Sequence, residues 1–481
     1  MAGQNILLLV IDTARVGTVQ EMMQNGYLPT LRGLADGGLR FTNAISPSPW
    51  TLPAHASIFT GERTSDHGTH AGTKAFDPSG RPVAEHLQQN GYRTVGISGN
   101  IWISPEFGFD RGFEHLSMKY DRFWSGADLT PVSEAETLSG KFRSFREAVD
   151  WRTVVPTLAN GLYSKWYADR YDKGAANTTR RTREWFRRHS EDRSPFFYFI
   201  NYLEPHLPYE PPEEFTDPFL PQGVRYEDAR EVKQDAWGYI AGDVEYSEEE
   251  FELLRSLYRG ELSYVDRQIG KLLAELDEQG LRDETTIIVV GDHGENIGDH
   301  GLMDHQYCLY QTLVHVPLII NGPKVGSGEV SALVETRDIF PTVLDVADLA
   351  LPDDEATSDN TLLKDPGKPF AISEYLAPQP SMESLREWVD GPVNTNGIDR
   401  TLRAIQTNTW KLVEGSDGSI ELYNLSNDPH EIESVADETN GIAAELRREL
   451  DERGIPLTYR KAEEFDVSEA SQRRLEDLGY I

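Results

Sequence analysis

Residues 6–12 read Ile-Leu-Leu-Leu-Val-Ile-Asp, an uninterrupted apolar run that ends on a carboxylate. A strand that is apolar on both faces is typical of a parallel sheet covered by helices on both sides. Runs of the same character recur at residues 93–97, 195–200, 286–290 and 316–320. Helical patterns lie between them, clearest at residues 250–279, where apolar side chains keep a helical spacing. This alternation predicts an α/β fold with a doubly wound, mostly parallel sheet flanked by helices.

The composition along the chain predicts a division into three parts. Residues 1–350 are expected to form the main α/β domain, with an insertion at about residues 120–190 that is rich in Trp, Arg and acidic residues. A change to Asp, Pro, Ser and Gly predicts a loop or linker over residues 351–370. Short strand patterns followed by a helical pattern at residues 442–453 predict a small α+β subdomain within residues 371–481.

The net charge of −34 over 481 residues excludes simple nucleic-acid binding, because a polyanionic partner would be repelled. Only 12 of the 46 basic residues are Lys. An acidic, Lys-poor surface favours a protein adapted to concentrated salt, since salt screens the self-repulsion. An ordinary acidic cytosolic protein is the alternative.

The single cysteine, Cys308, excludes an intrachain disulfide framework and a cysteine-cluster metal site. No segment reaches the roughly 18 apolar residues of a membrane span. The apolar run that ends at Asp12 is short and follows an uncharged start, so it indicates a buried strand and not a signal peptide. These features predict a cytoplasmic protein.

Three apolar runs lead into polar clusters, namely Asp12, the turn at Glu204-Pro205-His206, and Asp292-His293. Sheets of this class bind ligands beyond the carboxyl ends of their strands. Aspartate and histidine suit a divalent ion. Considered alone, Asp12 could equally cap the next helix, and His206 or His305 could be an ordinary loop histidine.

Residues 48–61 read Ser-Pro-Trp-Thr-Leu-Pro-Ala-His-Ala-Ser-Ile-Phe-Thr-Gly. This stretch resembles the signature of the sulfatase family, which places a Cys or Ser two residues before a Pro, then an Arg, then Thr-Gly. Thr51 falls in the nucleophile position and Pro53 fits the motif. His55 replaces the Arg, and Thr60-Gly61 close the pattern.

The resemblance continues in the family's order through residues 5–12, 99–113, 204–209, 291–295, 299–320 and 410–431. It implies an alkaline-phosphatase-like fold and one divalent ion. The implied metal ligands are Asp12, Asp292, His293 and the Thr51 oxygen. Mn²⁺, Zn²⁺, Mg²⁺ and Ca²⁺ stay open, although a histidine ligand disfavours an all-oxygen site. A second ion would need further ligands, for which the sequence offers Glu204, His206, His300 and His305.

Three departures from the family pattern affect the expected chemistry. Thr51 carries a methyl group on its hydroxyl carbon, so it cannot be oxidised to the aldehyde that formylglycine sulfatases use. Asp12 is followed by Thr13 where many sulfatases have a second Asp. Asn100 stands in place of a Lys and His55 in place of an Arg, which makes the pocket less cationic. A threonine nucleophile is similar to that of phosphodiesterase and phosphoglycerol-transferase relatives.

These features together predict a metal-dependent hydrolase of sulfate or phosphate esters, with phosphate mono- or diesters favoured by the threonine. Thr51 would attack phosphorus or sulfur and form a covalent ester. His206 and His305 would contact the oxygens of the transferred group and protonate the leaving alcohol, while His55 and Asn100 would complete the substrate contacts. The substrate would be a small-molecule or glycan ester. A transferase with a glycan or lipid acceptor, and an inactive binding protein on the same fold, are the alternatives.

Overall fold

A computed structural model describes residues 3–119, 174–192, 194–352, 357–364, 366–389, 397–436 and 440–458. Most of the predicted insertion at about residues 120–190 therefore lies outside the described residues, as does the end of the chain from residue 459. Part of the predicted linker is outside them too. The division of the chain into the three predicted parts stays a prediction.

The described strands form a nine-stranded sheet, a four-stranded sheet and a two-stranded hairpin. They are β1 (Asn5–Ile11), β2 (Leu39–Ile45), β3 (Arg93–Ser98), β4 (His115–Met118), β5 (Phe196–Tyr202), β6 (Thr285–Gly291), β7 (Asn296–Ile297), β8 (Met303–Asp304), β9 (His315–Asn321), β10 (Gly328–Val330), β11 (Val334–Glu335), β12 (Ala371–Tyr375), β13 (Leu402–Gln406), β14 (Trp410–Gly415) and β15 (Ile420–Asn424).

The large sheet has the order β10-β2-β9-β6-β1-β5-β3-β4, with β11 also paired to β2. Strands β6, β1, β5, β3 and β4 run parallel, and every residue of β1 is buried. This confirms the predicted doubly wound, mostly parallel sheet. Strand β9 is the exception, because it runs antiparallel to both β6 and β2.

Helices pack against the large and the small sheet. Those among the described residues are α1 (Val16–Gln24), α2 (Pro29–Asp36), α3 (Thr51–Thr60), α4 (Thr64–His67), α5 (Val83–Gln89), α6 (Ala175–His189), α7 (Glu213–Thr216), α8 (Tyr226–Arg230), α9 (Ala236–Ala241), α10 (Glu248–Glu278), α11 (Gln311–Val314), α12 (Ile339–Val346), α13 (Met382–Trp388) and α14 (Asn440–Glu452). The predicted helix at residues 250–279 corresponds to α10, which starts at a capping box between Ser247 and Glu250.

The small sheet has the order β12-β13-β14-β15 and is entirely antiparallel. Its apolar face packs against α14 in a separate core. That core is formed by Ile372, Ile405, Leu412, Leu422, Ala443, Leu446, Leu450 and Ile455. The predicted small α+β unit is thus present, with β12 as an additional strand that the sequence pattern did not reveal.

A buried ion network joins the edge of the large sheet to the small one. The Lys368 ammonium lies 2.6 Å from Glu335 Oε2 and 2.5 Å from Asp338 Oδ1. Arg337 donates to the same Glu335 oxygen at 3.0 Å. The other oxygen of Glu335 accepts from the backbone N–H of Ile372 in β12 at 3.0 Å. Charges at this junction are therefore both paired and hydrogen-bonded.

Replacing Lys368 by methionine is expected to lower the free energy of unfolding by about 3 kcal/mol, because two buried carboxylates lose a shared cation. The exposed pair between Lys364 and Asp345 provides the matched control. Lys364→Met should cost less than about 1 kcal/mol, since exposed ion pairs contribute little. Urea unfolding of both variants measures the difference, and equal losses would contradict a special role for the buried network.

Within the described residues, no helix combines the length and the apolar character that crossing a membrane requires.

Candidate active site and metal centre

The site lies where the carboxyl ends of the central parallel strands meet. Ile11, the last residue of β1, is level with Gly291 at the end of β6 and with Tyr202 at the end of β5. This register places Asp12 and Asp292 on neighbouring loops, and both carboxylates are fully buried. The sheet therefore brings together two acids that are 280 residues apart in the chain.

Thr51 is the first residue of α3. Its Oγ1 lies 3.2 Å from Nε2 of His293 and 3.2 Å from the amide Nδ2 of Asn100. Pro53 is tolerated in this first helical turn, where backbone N–H groups have no partner within the helix. The hydroxyl thus sits at the positive end of a helix dipole, a favourable position for an anionic substrate group.

The Asn100 side chain is held in one orientation. Its Oδ1 accepts from the backbone N–H of Trp102 at 3.1 Å, so its Nδ2 must face the site. From there Nδ2 donates to Asp12 Oδ2 at 2.9 Å and to Thr51 Oγ1. Asn201 on β5, which the sequence motifs did not single out, fixes the backbone of this loop by accepting from the Asn100 N–H at 3.0 Å.

His293 turns one ring nitrogen towards the two carboxylates. Its Nδ1 lies 2.9 Å from the carbonyl oxygen of Gly294 and so carries the proton. Its Nε2 lies 3.4 Å from Asp292 Oδ2 and 3.7 Å from Asp12 Oδ1. The chain at Gly294 passes so close to Thr312 that a Cβ would meet the Thr312 carbonyl oxygen at 2.0 Å. Glycine is therefore required beside His293.

These donor atoms fit a divalent cation. Asp12, Asp292 and His293 each offer one ligand atom, all within 4.8 Å of one another. Asp292 Oδ2 is buried without a hydrogen-bond partner among the described residues. Burial and the neighbouring Asp12 carboxylate raise the pKa of Asp292 well above its usual value. Burial, followed by the charge of His305, holds the pKa of His293 well below its usual value. Two adjacent acids with a neutral imidazole are a donor set that a cation would stabilise.

His55 lies one turn along α3 from Thr51. Its Nδ1 is 2.9 Å from the carbonyl oxygen of Thr51 and 3.4 Å from Asp292 Oδ2. The ring is fully buried, with the ring of Phe199 edge-on at 6.0 Å. Burial lowers the pKa of His55 to about 4. The structure thus places this residue beside the acid Asp292.

His206 and His305 lie next to the group formed by Asp12, Asp292 and His293. The ring centroid of His305 is 4.5 Å from that of His293 and 5.0 Å from that of His206. All three side chains are fully buried. The pKa of His305 is raised well above its usual value, because the Asp304 carboxylate outweighs the opposing effect of burial.

The other two residues that the sequence offered as ligands of a second ion make different contacts. Glu204 accepts from the backbone N–H of Ala175 at 3.1 Å, and His300 stacks on Tyr310 at 3.9 Å.

Glu295 and Asp304 form a second buried group with His305, which the motif comparison did not identify. The hairpin β7–β8 brings them together, since Asn296 pairs with Asp304. The sequence could have indicated this group, because Glu295 follows the predicted site residue His293 by two positions and Asp304 directly precedes His305.

A bidentate ion pair joins the loop after β1 to the hairpin β7–β8. Both outer nitrogens of Arg15 lie 2.9 Å from the Asp299 carboxylate, which also accepts from the backbone N–H of Ile297 at 2.9 Å. Tyr258 on α10 accepts from the Arg15 N–H and donates to the Thr13 carbonyl. Thr13 adopts a left-handed backbone, φ 56, which is unusual for a β-branched residue. These contacts hold the backbone that carries Asp12.

His67, at the end of α4, is a buried neutral histidine outside the metal-type group. Its Nδ1 accepts from the Thr69 N–H at 3.0 Å, so the proton is on Nε2, 3.1 Å from Ser57 Oγ. Burial, followed by the charge of His70, lowers the pKa of His67 to about 3 from the ordinary 6.5. Between these pH values the unfolded chain takes up a proton that the folded chain does not. This contribution to stability therefore falls as the pH falls below about 6.5.

We expect His67→Asn to reduce the acid sensitivity of the fold, because the asparagine oxygen keeps an acceptor for Thr69 and does not titrate. The histidine should cost the wild type about 2 kcal/mol at pH 5 relative to pH 7. Melting temperatures at the two pH values measure the effect. The exposed His430→Asn is the matched control for the substitution itself. A His67→Asn variant that loses as much stability as the wild type would contradict the prediction.

Comparison with known proteins gives a family and a set of relatives. The family model described as Sulfatase matches residues 4–349. The chain is 24% identical to arylsulfatase K of Bos taurus over 476 residues, covering 93% of this chain and 81% of the relative. It is also 24% identical to a choline-sulfatase of Rhizobium meliloti (strain 1021), covering 91% and 83%.

Solved structures share the fold at lower identity. A phosphonate monoester hydrolase of Agrobacterium radiobacter matches with a TM-score of 0.68 and 21% identity, over 93% of this chain and 95% of that chain. A protein solved in complex with its substrate D-glucosamine-2-N,6-O-disulfate matches with a TM-score of 0.61 and 19% identity, over 94% and 97%. The family match includes Asp12, Thr51 and Asp292. The chain is therefore a member of the sulfatase family of ester hydrolases.

Proposed function

We propose that the protein hydrolyses sulfate or phosphate esters with Thr51 as its nucleophile, and that phosphate esters are its preferred substrates. The observation that carries this proposal is the position of the Thr51 hydroxyl, which faces His293 and Asn100 beside the Asp12 and Asp292 carboxylates. A threonine with a purely structural role would not need an imidazole, an amide and two buried carboxylates around its hydroxyl. The buried acids also argue against an inactive binding protein, because burying two neighbouring carboxylates costs stability.

Asp12, Asp292, His293 and the Thr51 oxygen would hold one divalent ion, and this ion would lower the pKa of the Thr51 hydroxyl and offset charge on the transferred group. The mixed carboxylate and imidazole donors favour Mn²⁺ or Zn²⁺ over Ca²⁺ or Mg²⁺. His55, whose Nδ1 lies 3.4 Å from Asp292 Oδ2, and Asn100 would complete the substrate contacts. The fixed Asn100 amide would donate to the nucleophile or to a substrate oxygen.

The reaction would proceed in two steps, formation of a covalent Thr51 ester and its hydrolysis. The Thr51 oxygen loses its proton to solvent and forms a bond to phosphorus or sulfur, while the bond to the leaving oxygen breaks. His206 or His305 gives a proton to the departing alcohol. Water then gives a proton to the same histidine and attacks the Thr51 ester. The phosphate or sulfate is released, and the Thr51 oxygen regains its proton from solvent. An acceptor alcohol in place of water would give group transfer, the transferase alternative.

One feature supports phosphate over sulfate. The hydroxyl carbon of Thr51 carries a methyl group, so oxidation would give a ketone and not the aldehyde of formylglycine. The relatives support a sulfur or phosphorus ester in general, because they include a choline-sulfatase and a phosphonate monoester hydrolase. The complex with a disulfated glucosamine supports a glycan ester as one substrate class.

Intact-protein mass spectrometry with peptide mapping tests the proposal. The metal-loaded enzyme is incubated separately with bis-p-nitrophenyl phosphate, p-nitrophenyl phosphate and p-nitrophenyl sulfate. We expect nitrophenol release and an adduct on Thr51, with a phosphate compound giving the faster reaction. An adduct on another residue would contradict the nucleophile, and faster turnover of the sulfate would contradict the substrate preference. A metal-loaded protein that releases no nitrophenol would support the inactive alternative.

We also propose that the acidic surface adapts the protein to salt, given the net charge of −34 and the low share of Lys. Raising KCl from about 0.1 M to about 2 M should raise the melting temperature, because the Debye length falls to a few Å and the self-repulsion is screened. Unchanged or lower melting temperatures in KCl would favour an ordinary acidic protein. Choline chloride at the same ionic strength is the control for a specific effect of potassium.

A further inference from the structure

A buried ion pair lies where the small sheet meets the segment before β9. Lys411 on β14 and Glu431, which follows β15, are 2.7 Å apart, and their side chains are 1% and 0% exposed. Both belong to residues 410–431, which resemble the family pattern but take no part in the proposed reaction. Glu431 also adopts a left-handed backbone, φ 55, which is uncommon for a residue other than glycine. Burying two charges there is costly, which indicates a role beyond the packing of the sheet.

Glu431 uses its second oxygen outside the small sheet. Its Oε2 accepts from the backbone N–H of Gln311, the first residue of α11, at 2.5 Å, while Lys411 contacts Oε1. The preceding residue is held by the same sheet, because the Tyr310 hydroxyl donates to Glu421 Oε2 on β15 at 2.9 Å. Two carboxylates of the small sheet therefore hold the start of α11.

The rest of α11 holds the backbone beside His293. The carbonyl oxygen of Leu313 accepts from the Gly294 N–H at 2.7 Å, and that of Thr312 accepts from the Glu295 N–H at 3.1 Å. The Gly294 carbonyl in turn accepts from Nδ1 of His293, which sets the direction of the other ring nitrogen. Because Thr312 approaches Gly294 too closely for a Cβ to fit between them, a shift of α11 is transmitted to this backbone.

We propose that Glu431, oriented by Lys411, is a positioning residue for His293 and acts through α11. The small sheet, which lies beyond residues 4–349 of the family match, thereby supports the candidate metal centre. The expected effect on metal affinity rests on the proposed function, in which His293 is a ligand, whereas the effect on the backbone does not. Residues that hold a metal ligand in place typically contribute about 10- to 100-fold to metal affinity.

Two double variants that differ in one group test this route. Both carry Lys411→Met, so the buried cation is removed together with the buried anion, a change that buried ion pairs often tolerate. Glu431→Gln keeps an acceptor oxygen for the Gln311 N–H, whereas Glu431→Leu is apolar and has none. Isothermal titration of the chelator-stripped proteins with MnCl₂ should show an affinity within about 3-fold of the wild type for the glutamine variant and a loss of about 10-fold or more for the leucine variant.

Hydrogen exchange of the stripped proteins, measured by mass spectrometry, separates positioning from a general loss of stability. In the leucine variant the amide hydrogens of Gly294 and Glu295 should exchange faster, while those of β1 and β6 keep the wild-type rate, because the opening is local. If this variant fails to fold, Glu431→Asp repeats the test, since it keeps the charge beside Lys411 but is one methylene shorter and cannot span both partners.

Glu414→Gln is the matched control in the same sheet. Glu414 forms a buried pair with Arg403 and also accepts from Arg447 of α14. Its loss should lower the stability of the small sheet and leave both the manganese affinity and the exchange of Gly294 unchanged.

Equal manganese affinity in the two double variants, or wild-type exchange of Gly294 and Glu295 in the leucine variant, would overturn the inference and make the ion pair purely structural. Faster exchange that extends over β1 and β6 would overturn it as well. A wild-type protein that binds no Mn²⁺ would contradict the proposed metal centre, and the exchange of Gly294 and Glu295 would then decide the inference by itself.

Discussion

Replacing Thr51 by alanine is expected to lower the turnover of nitrophenyl phosphate esters by about 10⁴-fold or more, because the covalent route through its hydroxyl is lost. Metal should still bind, although the Thr51 oxygen is lost as a ligand, since Asp12, Asp292 and His293 are unchanged. The alanine variant should also show no adduct by mass spectrometry. Initial rates at saturating substrate, with the metal content of the same preparation, provide the measurement.

Two further variants complete the Thr51 test. Thr51→Ser keeps a hydroxyl at the start of α3 and should retain a substantial part of the activity. Thr409→Ala removes an exposed threonine from the turn between β13 and β14 and should leave the rate unchanged. Turnover by Thr51→Ala within a factor of about 10 of the wild type would show that another group is the nucleophile.

Asp292→Asn is expected to have an effect of similar size, through loss of the metal. The substitution removes a negative charge from a donor group that contains only one other carboxylate. We expect the affinity for Mn²⁺ at the proposed centre to fall more than about 100-fold, a larger loss than supporting residues of metal sites typically cause. Turnover should fall with it, and high concentrations of the ion should restore part of the activity.

The exposed Asp283→Asn, just before β6, is the matched control and should bind metal normally. Isothermal titration of the stripped proteins with MnCl₂ separates the two variants. The buried carboxylate is also expected to destabilise the apo protein, because burial and Asp12 raise its pKa. Asp292→Asn should therefore melt no lower than wild-type apo protein. A lower melting temperature, together with normal metal affinity, would make Asp292 a structural residue.

Much of the fold could be predicted because buried parallel strands are continuous apolar runs. The strands β1, β3, β5 and β6 follow from such runs. The direction of β9 does not, because an antiparallel strand buried in the middle of a sheet has the same composition as a parallel one. Strand β2 was missed, since its sequence Leu-Arg-Phe-Thr-Asn-Ala-Ile mixes polar and apolar residues and only part of it is buried.

Part of the candidate site could be predicted from the sequence in the same way, and part could not. Asp12 and Asp292 directly follow buried strands, so their proximity follows from the rule that ligands bind at the carboxyl ends. Thr51 needed the motif, because a threonine that starts a helix is common. The group of Glu295 with Asp304 depends on a hairpin whose strands have two residues each, too short to leave a periodic pattern. Such contacts are decided by tertiary structure and not by local sequence.

The ion pair between Arg15 and Asp299 has a consequence for how the site opens. One end of it belongs to the loop that carries Asp12, and the other to the hairpin that carries Asp304. Local unfolding of either segment must break the same two charge-assisted hydrogen bonds, so the two segments open as one cooperative unit. A cation that bound only to the closed form would stabilise that form by mass action. We therefore expect an ion bound at the proposed centre to be released only when both segments open together.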